Sequence, residues 1–408
     1  MLIMVEGCTG SIYYKRLLMK FELLHIIVLF LVMIMHNQTM AQSQTVQAIN
    51  WKVAAELPAL TGQAKALGLA GPVAGVHHQV LVIAGGANFP DKMPWLGGTK
   101  KYYNDIYVFE KEAKGNTIKP NPKLFHLSNP VAYGASCSTP SGIICAGGEN
   151  DKGITNQVLL IQWDTATKKI AVKNLPDLPI AITNAAITAV ENTIYVGGGE
   201  MADGVSNQFF SLDLNHPTAG WQQLPSLPKP VSHAVMVMQA GGGHQYIYLI
   251  GGRKKNSNGI SDLYDSVYRY DLNSNQWQQK QSLPYALSAG TGMATRAGEI
   301  LLFGGDKGET FHKTEQLLAA IAAEKSEAKK QQLIGQKANL QSAHPGFSKE
   351  VLQYNAHADT WKKLGTIPYE VPVTTTAVNW ADGVLIPSGE IKAGVRTPQL
   401  LLGKFLHK

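Results

Sequence analysis

The sequence predicts an all-β chain folded as a six-bladed β-propeller, and three observations predict it. A marker position, most often Trp, is followed seven residues later by Pro in six places: Trp51/Pro58, Lys123/Pro130, Val172/Pro179, Trp221/Pro228, Trp277/Pro284 and Trp361/Pro368. Five apolar strands end in paired glycines (Gly85-Gly86, Gly147-Gly148, Gly198-Gly199, Gly251-Gly252, Gly304-Gly305), and a sixth ends in Ser388-Gly389. Trp51 precedes every Gly-Gly strand, and no Trp marker follows the last one, so a ring closed by its own two ends accounts for both facts.

The third copy shows how a repeat is built. Asn184 to Val190 is apolar and rich in small residues, Glu191-Asn192 makes a turn, and Thr193 to Val196 is a second strand running into Gly197-Gly198-Gly199. A polar loop, Glu200 to Ser206, leads to a third strand, Asn207 to Asp213, and Trp221 to Leu224 is the fourth. Short strands with regular turn punctuation indicate a β-meander. The third strand recurs as NDIYVF (Asn104 to Phe109), NQVLLI (Asn156 to Ile161), NQFFSL, DSVYRY (Asp265 to Tyr270), KEVLQY (Lys349 to Tyr354) and PQLLLG (Pro398 to Gly403). Successive Gly-Gly pairs lie 62, 51, 53 and 53 residues apart. A period near 50 with Gly-Gly and Trp marks is the kelch signature. Six such units packed radially share a core and leave only short edges.

Closure is expected between the chain ends, with strands one to three of the last blade drawn from Thr374 to Phe405 and the fourth from Asn50 to Leu57. Two blades carry extra material between strands two and three. Blade one inserts Asn88 to Tyr103. Blade five inserts about 309–347, where Leu317, Leu318, Ile321, Leu333 and Ile334 fall at helical spacing, an amphipathic helix or a hairpin of helices. Both insertions occupy the same connection and therefore the same face of the disk, where function is expected to gather.

The first residues read as a leader. Lys20 precedes the apolar run Leu23 to Met35, and Thr39-Met40-Ala41 is a small-residue cleavage site before Gln42. Residues 1–41 are thus expected to be a signal peptide, residues 42–408 a single propeller, and the mature protein periplasmic or otherwise exported without stable membrane insertion. The run is short for a membrane span. The chain carries a net charge of +7. Its Lys pairs are scattered rather than clustered, which excludes a nucleic-acid patch; the basic excess suits an acidic small molecule, and solubility alone also accounts for it. Cys137 and Cys145 sit on neighbouring strands of one hairpin, as a disulfide or as two buried thiols. No Cys/His cluster has zinc spacing, so no metal site is expected. A homodimer is left open.

The residues just after each Gly-Gly are expected to ring the top of a central channel: Ala87-Asn88, Glu149-Asn150, Glu200, Arg253, Asp306 and Glu390. Each alone is an ordinary loop residue; together they form a polar pocket of sugar size. The last blade adds Lys392 and Arg396. A guanidinium suits a carboxylate in two parallel hydrogen bonds, and a partly dry Glu can move a proton.

The stretch Gly389-Glu390-x3-Gly394-Val395-Arg396-Thr397 resembles the corresponding loop of the bacterial N-acetylneuraminate epimerases, secreted sialic-acid mutarotases built from kelch repeats. Asp262 to Trp277, Gly290 to Gly305 with its helical insertion, and blade one are similar to blades of that family in rotated order, as in its cyclically permuted branch. The resemblance covers most of residues 50–405. It departs at Ser388, where the first Gly is replaced, and at Ile391. It implies that Glu390 accepts a proton and that Arg396 contacts the substrate. It further implies a cofactor-free isomerase interconverting the α and β anomers of N-acetylneuraminate. Asn88, Glu200, Arg253, Asp306 and His233 are expected to complete substrate binding. The general acid is left open among Glu149, Glu200, Asp306, His233 and Tyr133, with a purely structural hydrogen-bonding role as the other reading of His233. The competing function is an exported kelch module that binds a glycan or protein without catalysis.

Overall fold

The computed structural model describes residues 45–59, 65–111, 118–241 and 243–407; the expected leader, residues 1–41, lies outside them. Val46 onward folds as six four- or five-stranded antiparallel sheets, each a radial blade, in the order the sequence predicts, with four two-stranded ribbons beside them. Blade three is representative, with Ala186–Val190, Thr193–Gly197, Phe209–Asp213 and Gln222–Leu224 paired in sequence. Blade one differs in its outer strand, which is split into Ile118–Pro120 and Phe125–His126, both pairing with Asp105–Lys111. This is one of the two blades whose marker position is not Trp.

The last blade is made from both ends of the chain. Val46–Glu56 pairs antiparallel with Val395–His407, placing Trp51 opposite Gly403. A Cβ at Gly403 would lie 2.9 Å from the Trp51 ring, so the glycine makes room for the indole. Trp51 in turn meets Phe303 of blade five edge-on, with ring centroids 5.7 Å apart. Two side chains tie the strand's start to blade five as well. Glu299 accepts a hydrogen bond from the Val46 N–H, and Gln353 donates one to its carbonyl.

The other Trp markers carry a directional bond besides apolar area. Trp221, Trp277 and Trp361 each donate an indole N–H to a carbonyl at the end of the preceding blade's outer strand: Pro176, Pro225 and Gln281, at 2.8, 3.2 and 2.9 Å. A half-buried indole with its N–H paired suits this position.

The paired glycines exist because blades touch there. A Cβ on Gly85, Gly147, Gly198 or Gly251 would come within 2.2–2.4 Å of a carbonyl oxygen in the next blade, and each has φ between 62° and 70°. Blade six must do without the first glycine. Ser388 adopts the same left-handed conformation, φ 54°, and its hydroxyl joins the seam. The oxygen accepts from the Leu69 N–H at 2.9 Å and is within donating distance of the Leu69 and Thr397 carbonyls, at 3.1 and 2.7 Å.

The two cysteines are unpaired. The strand register explains why: Cys137 stands opposite Ile144, and Cys145 opposite Ser136.

The helical insertion is a hairpin of two helices, Glu309–Ala323 and Glu327–Ser342. Its apolar positions are only half-buried, and Leu318 is exposed. The buried group on the first helix is Glu315, whose carboxylate takes the N–H and hydroxyl of Ser261 in the neighbouring blade-four hairpin. The hairpin is therefore docked by polar bonds more than by a greasy face.

Candidate active site

Every blade begins its inner strand from a residue in the left-handed region: Gly71, Tyr133, Asn184, His233, Ala289 and Thr374, with φ between 50° and 60°. Their backbones form a closed hydrogen-bonded ring. Tyr133 donates to Gly71, Asn184 to Tyr133, His233 to Asn184, Ala289 to His233, Thr374 to Ala289 and Gly71 to Thr374, at 2.7–3.1 Å. Five non-glycine residues held at positive φ cost roughly 1 kcal/mol or more each and persist because the ring over-determines them. These residues and the first positions of the inner strands line an axial cavity of about 130 Å³.

The residues after the paired glycines stand one step out from this neck. Ala87, Glu149, Glu200, Arg253, Asp306 and Glu390 each bridge back to the residue just before the ring position of their own blade. The inner strand comes closest to the axis, so it, rather than the post-glycine residues, forms the narrowest lining. Two charged clusters result.

The first joins blades six, one and two. Glu390 and Arg396 are direct neighbours across the last inner hairpin, with Nη2 of the arginine 3.5 Å from a carboxylate oxygen. The other oxygen of Glu390 accepts the Gly394 N–H at 2.8 Å. Gly394 is required there, since its φ is 73° and a Cβ would meet Pro94 and Trp95 of the blade-one insertion at 2.9–3.0 Å. The Arg396 side chain is 4% exposed. Its guanidinium lies 4.7 Å from the centre of the Phe89 ring, and its Nε and Nη1 have no hydrogen-bond partner among the described residues. Tyr133 reaches in from the neck beside Arg396 and Glu390. Burial raises its pKa, while the nearby cations of Lys100 and Arg396 pull it back in part. Lys100 lies 5.0 Å over the Tyr133 ring and pairs with Glu149 at 3.1 Å, and Glu149 also accepts the Tyr102 hydroxyl.

The second cluster joins blades three, four and five. Arg253 donates to Nε2 of His233 at 3.2 Å. An imidazole that accepts at Nε2 carries its proton on Nδ1, which lies 3.0 Å from the Ser232 hydroxyl. Ser232 donates to Glu200 at 3.1 Å, and Glu200 returns to Arg253 at 3.6 Å. Burial and the Arg253 charge hold the His233 pKa well below its ordinary value. Phe311, from the first helix of the insertion, lies 4.4 Å from the Arg253 guanidinium.

Most of the expected residues are thus gathered on this face. Asp306 is there too, turned to accept the Gly308 N–H at the start of the helical hairpin. Asn88 is buried, with its amide engaged by the Gly68 carbonyl and the Tyr103 hydroxyl, so it braces the base of the blade-one insertion. Three residues were missed by sequence reasoning. Phe89 and Phe311 give each arginine an aromatic neighbour, and both lie within the two insertions, where sequence reasoning singled out neither residue. His344 follows the second helix and is buried. Desolvation lowers its pKa most, the carboxylates of Asp306 and Glu390 oppose that, and Lys392 adds to it. The helix-ending run His344-Pro345-Gly346 is the one signal that could have singled it out.

Comparison with known proteins bears on this site. A family model described as N-acetylneuraminate epimerase matches residues 35–170 and 175–408. Curated relatives called N-acetylneuraminate epimerase include that of Brucella melitensis biotype 1, 28% identical over 60% of this chain and 63% of its own. That of Haemophilus influenzae (strain PittEE) is 26% identical over the same shares, and that of Yersinia pestis (strain Pestoides F) is 32% identical over 56% and 57%. The chain therefore aligns with less than two thirds of the length of these relatives. A solved structure described as "Structure of YjhT" superposes with a TM-score of 0.57 at 14% identity, covering 86% of this chain and 97% of the other, which is a likeness of fold.

Proposed function

The chain belongs to the N-acetylneuraminate epimerase family, and on that premise we propose that it interconverts the α and β anomers of a sialic acid by acid–base ring opening. The observation that carries the reading is Arg396: a guanidinium 4% exposed, with Nε and Nη1 unbonded among the described residues and Glu390 as its cross-strand neighbour. Desolvated arginine of this kind suits a carboxylate held by two parallel bonds.

In this mechanism the sugar carboxylate rests on Arg396. Glu390 takes the proton of the anomeric hydroxyl, a donor protonates the ring oxygen, and the ring opens to a keto acid. The C1–C2 unit rotates and closure gives the other anomer. Acid–base assistance of this sort contributes about 10²–10⁴-fold. Arg253, Glu200, His233 and Asp306 form the opposite wall against the rest of the sugar, with Asn88 supporting the insertion behind Arg396. We read the repeats as kelch repeats in rotated order. We also propose that residues 1–41 are a signal peptide cleaved after Ala41, which would deliver the propeller to the periplasm. No helix among the described residues is long and apolar enough to cross a membrane.

Following the anomeric proton signals of freshly released α-sialic acid by NMR tests the activity. Equilibration faster in the presence of the protein than in buffer supports the reading, and the same rate with and without it favours a non-catalytic binding module.

A further inference from the structure

The proposed reaction needs a proton donor opposite Glu390, and the hydrogen bonds around the cavity narrow the choice. His233 accepts from Arg253 through Nε2, and its one N–H faces Ser232 and Glu200, so it has no proton to offer the cavity. Glu149 receives Lys100 and Tyr102, and Asp306 receives the Gly308 N–H. The Nδ1 of His344 accepts the Gly346 N–H and burial holds the ring neutral, and the remaining Nε2–H of a neutral imidazole is a weaker acid than a phenol. Tyr133 lines the axial cavity, at the neck beside Arg396 and Glu390.

Resting on the mutarotase reading, we propose that Tyr133 is the general acid that protonates the ring oxygen. As Glu390 takes the anomeric O–H proton, that electron pair forms the C2=O bond, the bond from C2 to the ring oxygen breaks, and the oxygen takes the phenolic proton. The products are an open-chain keto acid, a neutral Glu390 and a Tyr133 phenolate. On closure, the same hydroxyl oxygen attacks C2 and returns its proton to Tyr133, while Glu390 reprotonates the ketone oxygen. The phenolate forms in a partly dry site, which opposes it, but Lys100 and Arg396 stand next to it and stabilise its charge. With its pKa raised by burial, the phenol is fully protonated at neutral pH, as an acid catalyst must be.

Tyr133→Phe keeps the ring, its contact with Lys100 and the left-handed backbone, and removes only the hydroxyl. The expected result is a fall in kcat of about 100-fold or more, with KM for sialic acid changed less than about threefold and calorimetric binding of the sugar retained. Lys100→Met, which leaves the phenol but removes a cation, is expected to lower kcat about tenfold, again with little change in KM, and serves if the first variant does not fold. An active wild type with kcat of Tyr133→Phe within threefold of it overturns the tyrosine assignment alone. So does a loss that appears only in KM. A wild type that does not accelerate anomer exchange overturns the mutarotase reading together with this one.

Discussion

Glu390 and Arg396 share one rung of the last blade's inner hairpin, so the carboxylate and guanidinium are placed by the backbone register and not by loop conformation. The pair should separate kinetically. Glu390→Gln preserves shape and an acceptor for the Gly394 N–H, so it should reduce kcat by about 10²–10⁴-fold with KM nearly unchanged. Arg396→Lys keeps the charge but loses the planar fork, and should raise KM about 10–100-fold. Because the two touch, the double variant should lose less than the sum of the single losses. Steady-state anomer exchange followed by NMR measures all three, and equal losses in kcat for both single variants would contradict the division of roles.

The scaffold was legible in the sequence because its causes are local. Paired glycines mark where a blade meets its neighbour's backbone, Trp marks the outer strand, and the unmatched Trp51 announces the closure. The Glu390–Arg396 pair was legible because both residues lie within one short hairpin. The aromatic neighbours of the two arginines were not, because residues far apart in sequence supply them and only the folded ring brings them together. Phe89 meets Arg396 across some three hundred residues, and Phe311 meets Arg253 only because the helical hairpin docks through Glu315 onto Ser261. The neck, too, is a product of ring closure, since each of its hydrogen bonds joins two blades.

The His233 network gives stability a pH dependence whose direction is set. His233 is neutral in the folded state, with its pKa well below the ordinary 6.5, because burial and Arg253 both oppose a second positive charge. The unfolded chain therefore binds the proton first. This contribution is complete above about pH 6.5 and is lost as the pH falls from there toward the folded value, at up to about 1.4 kcal/mol per pH unit. His77 and His344 are shifted the same way, so the wild-type slope has more than one source. His233→Gln should flatten the slope between pH 6.5 and 5 by about one proton's worth while leaving those two contributions. Urea midpoints across that range test it, and an unchanged slope would show that His233 is charged when folded.

Ser388 carries two separable burdens, a positive φ and a three-way hydroxyl contact across the closing seam. Ser388→Gly removes the hydroxyl but relieves the backbone. Ser388→Ala removes the hydroxyl and keeps the strain. Both should destabilise, because the buried Leu69 N–H loses its partner at a cost of about 1–3 kcal/mol. Alanine should be worse than glycine by about 1 kcal/mol. Chemical denaturation of the two variants gives the difference directly, and an alanine variant at least as stable as the glycine one would mean that the local backbone relaxes out of the left-handed region.

The strand Val46–Glu56 is the fourth strand of a blade whose other three strands lie more than three hundred residues away, so deleting it is unlike trimming a terminus. Without it Val395–His407 becomes an unpaired edge, the faces of Phe303 and Ile386 lose part of their cover, and the Glu299 carboxylate loses the Val46 N–H. An open edge of that length invites pairing with another chain. A protein starting at residue 58 should therefore elute as higher-order species and lose its single cooperative unfolding transition. Trp51→Ala should leave the ring closed, because the backbone ladder survives, and cost about 3 kcal/mol from the lost indole packing against Phe303 and Gly403. Size-exclusion chromatography and urea denaturation of the two variants distinguish ladder from indole, and a truncated protein that stays monomeric at the wild-type midpoint would refute closure by this strand.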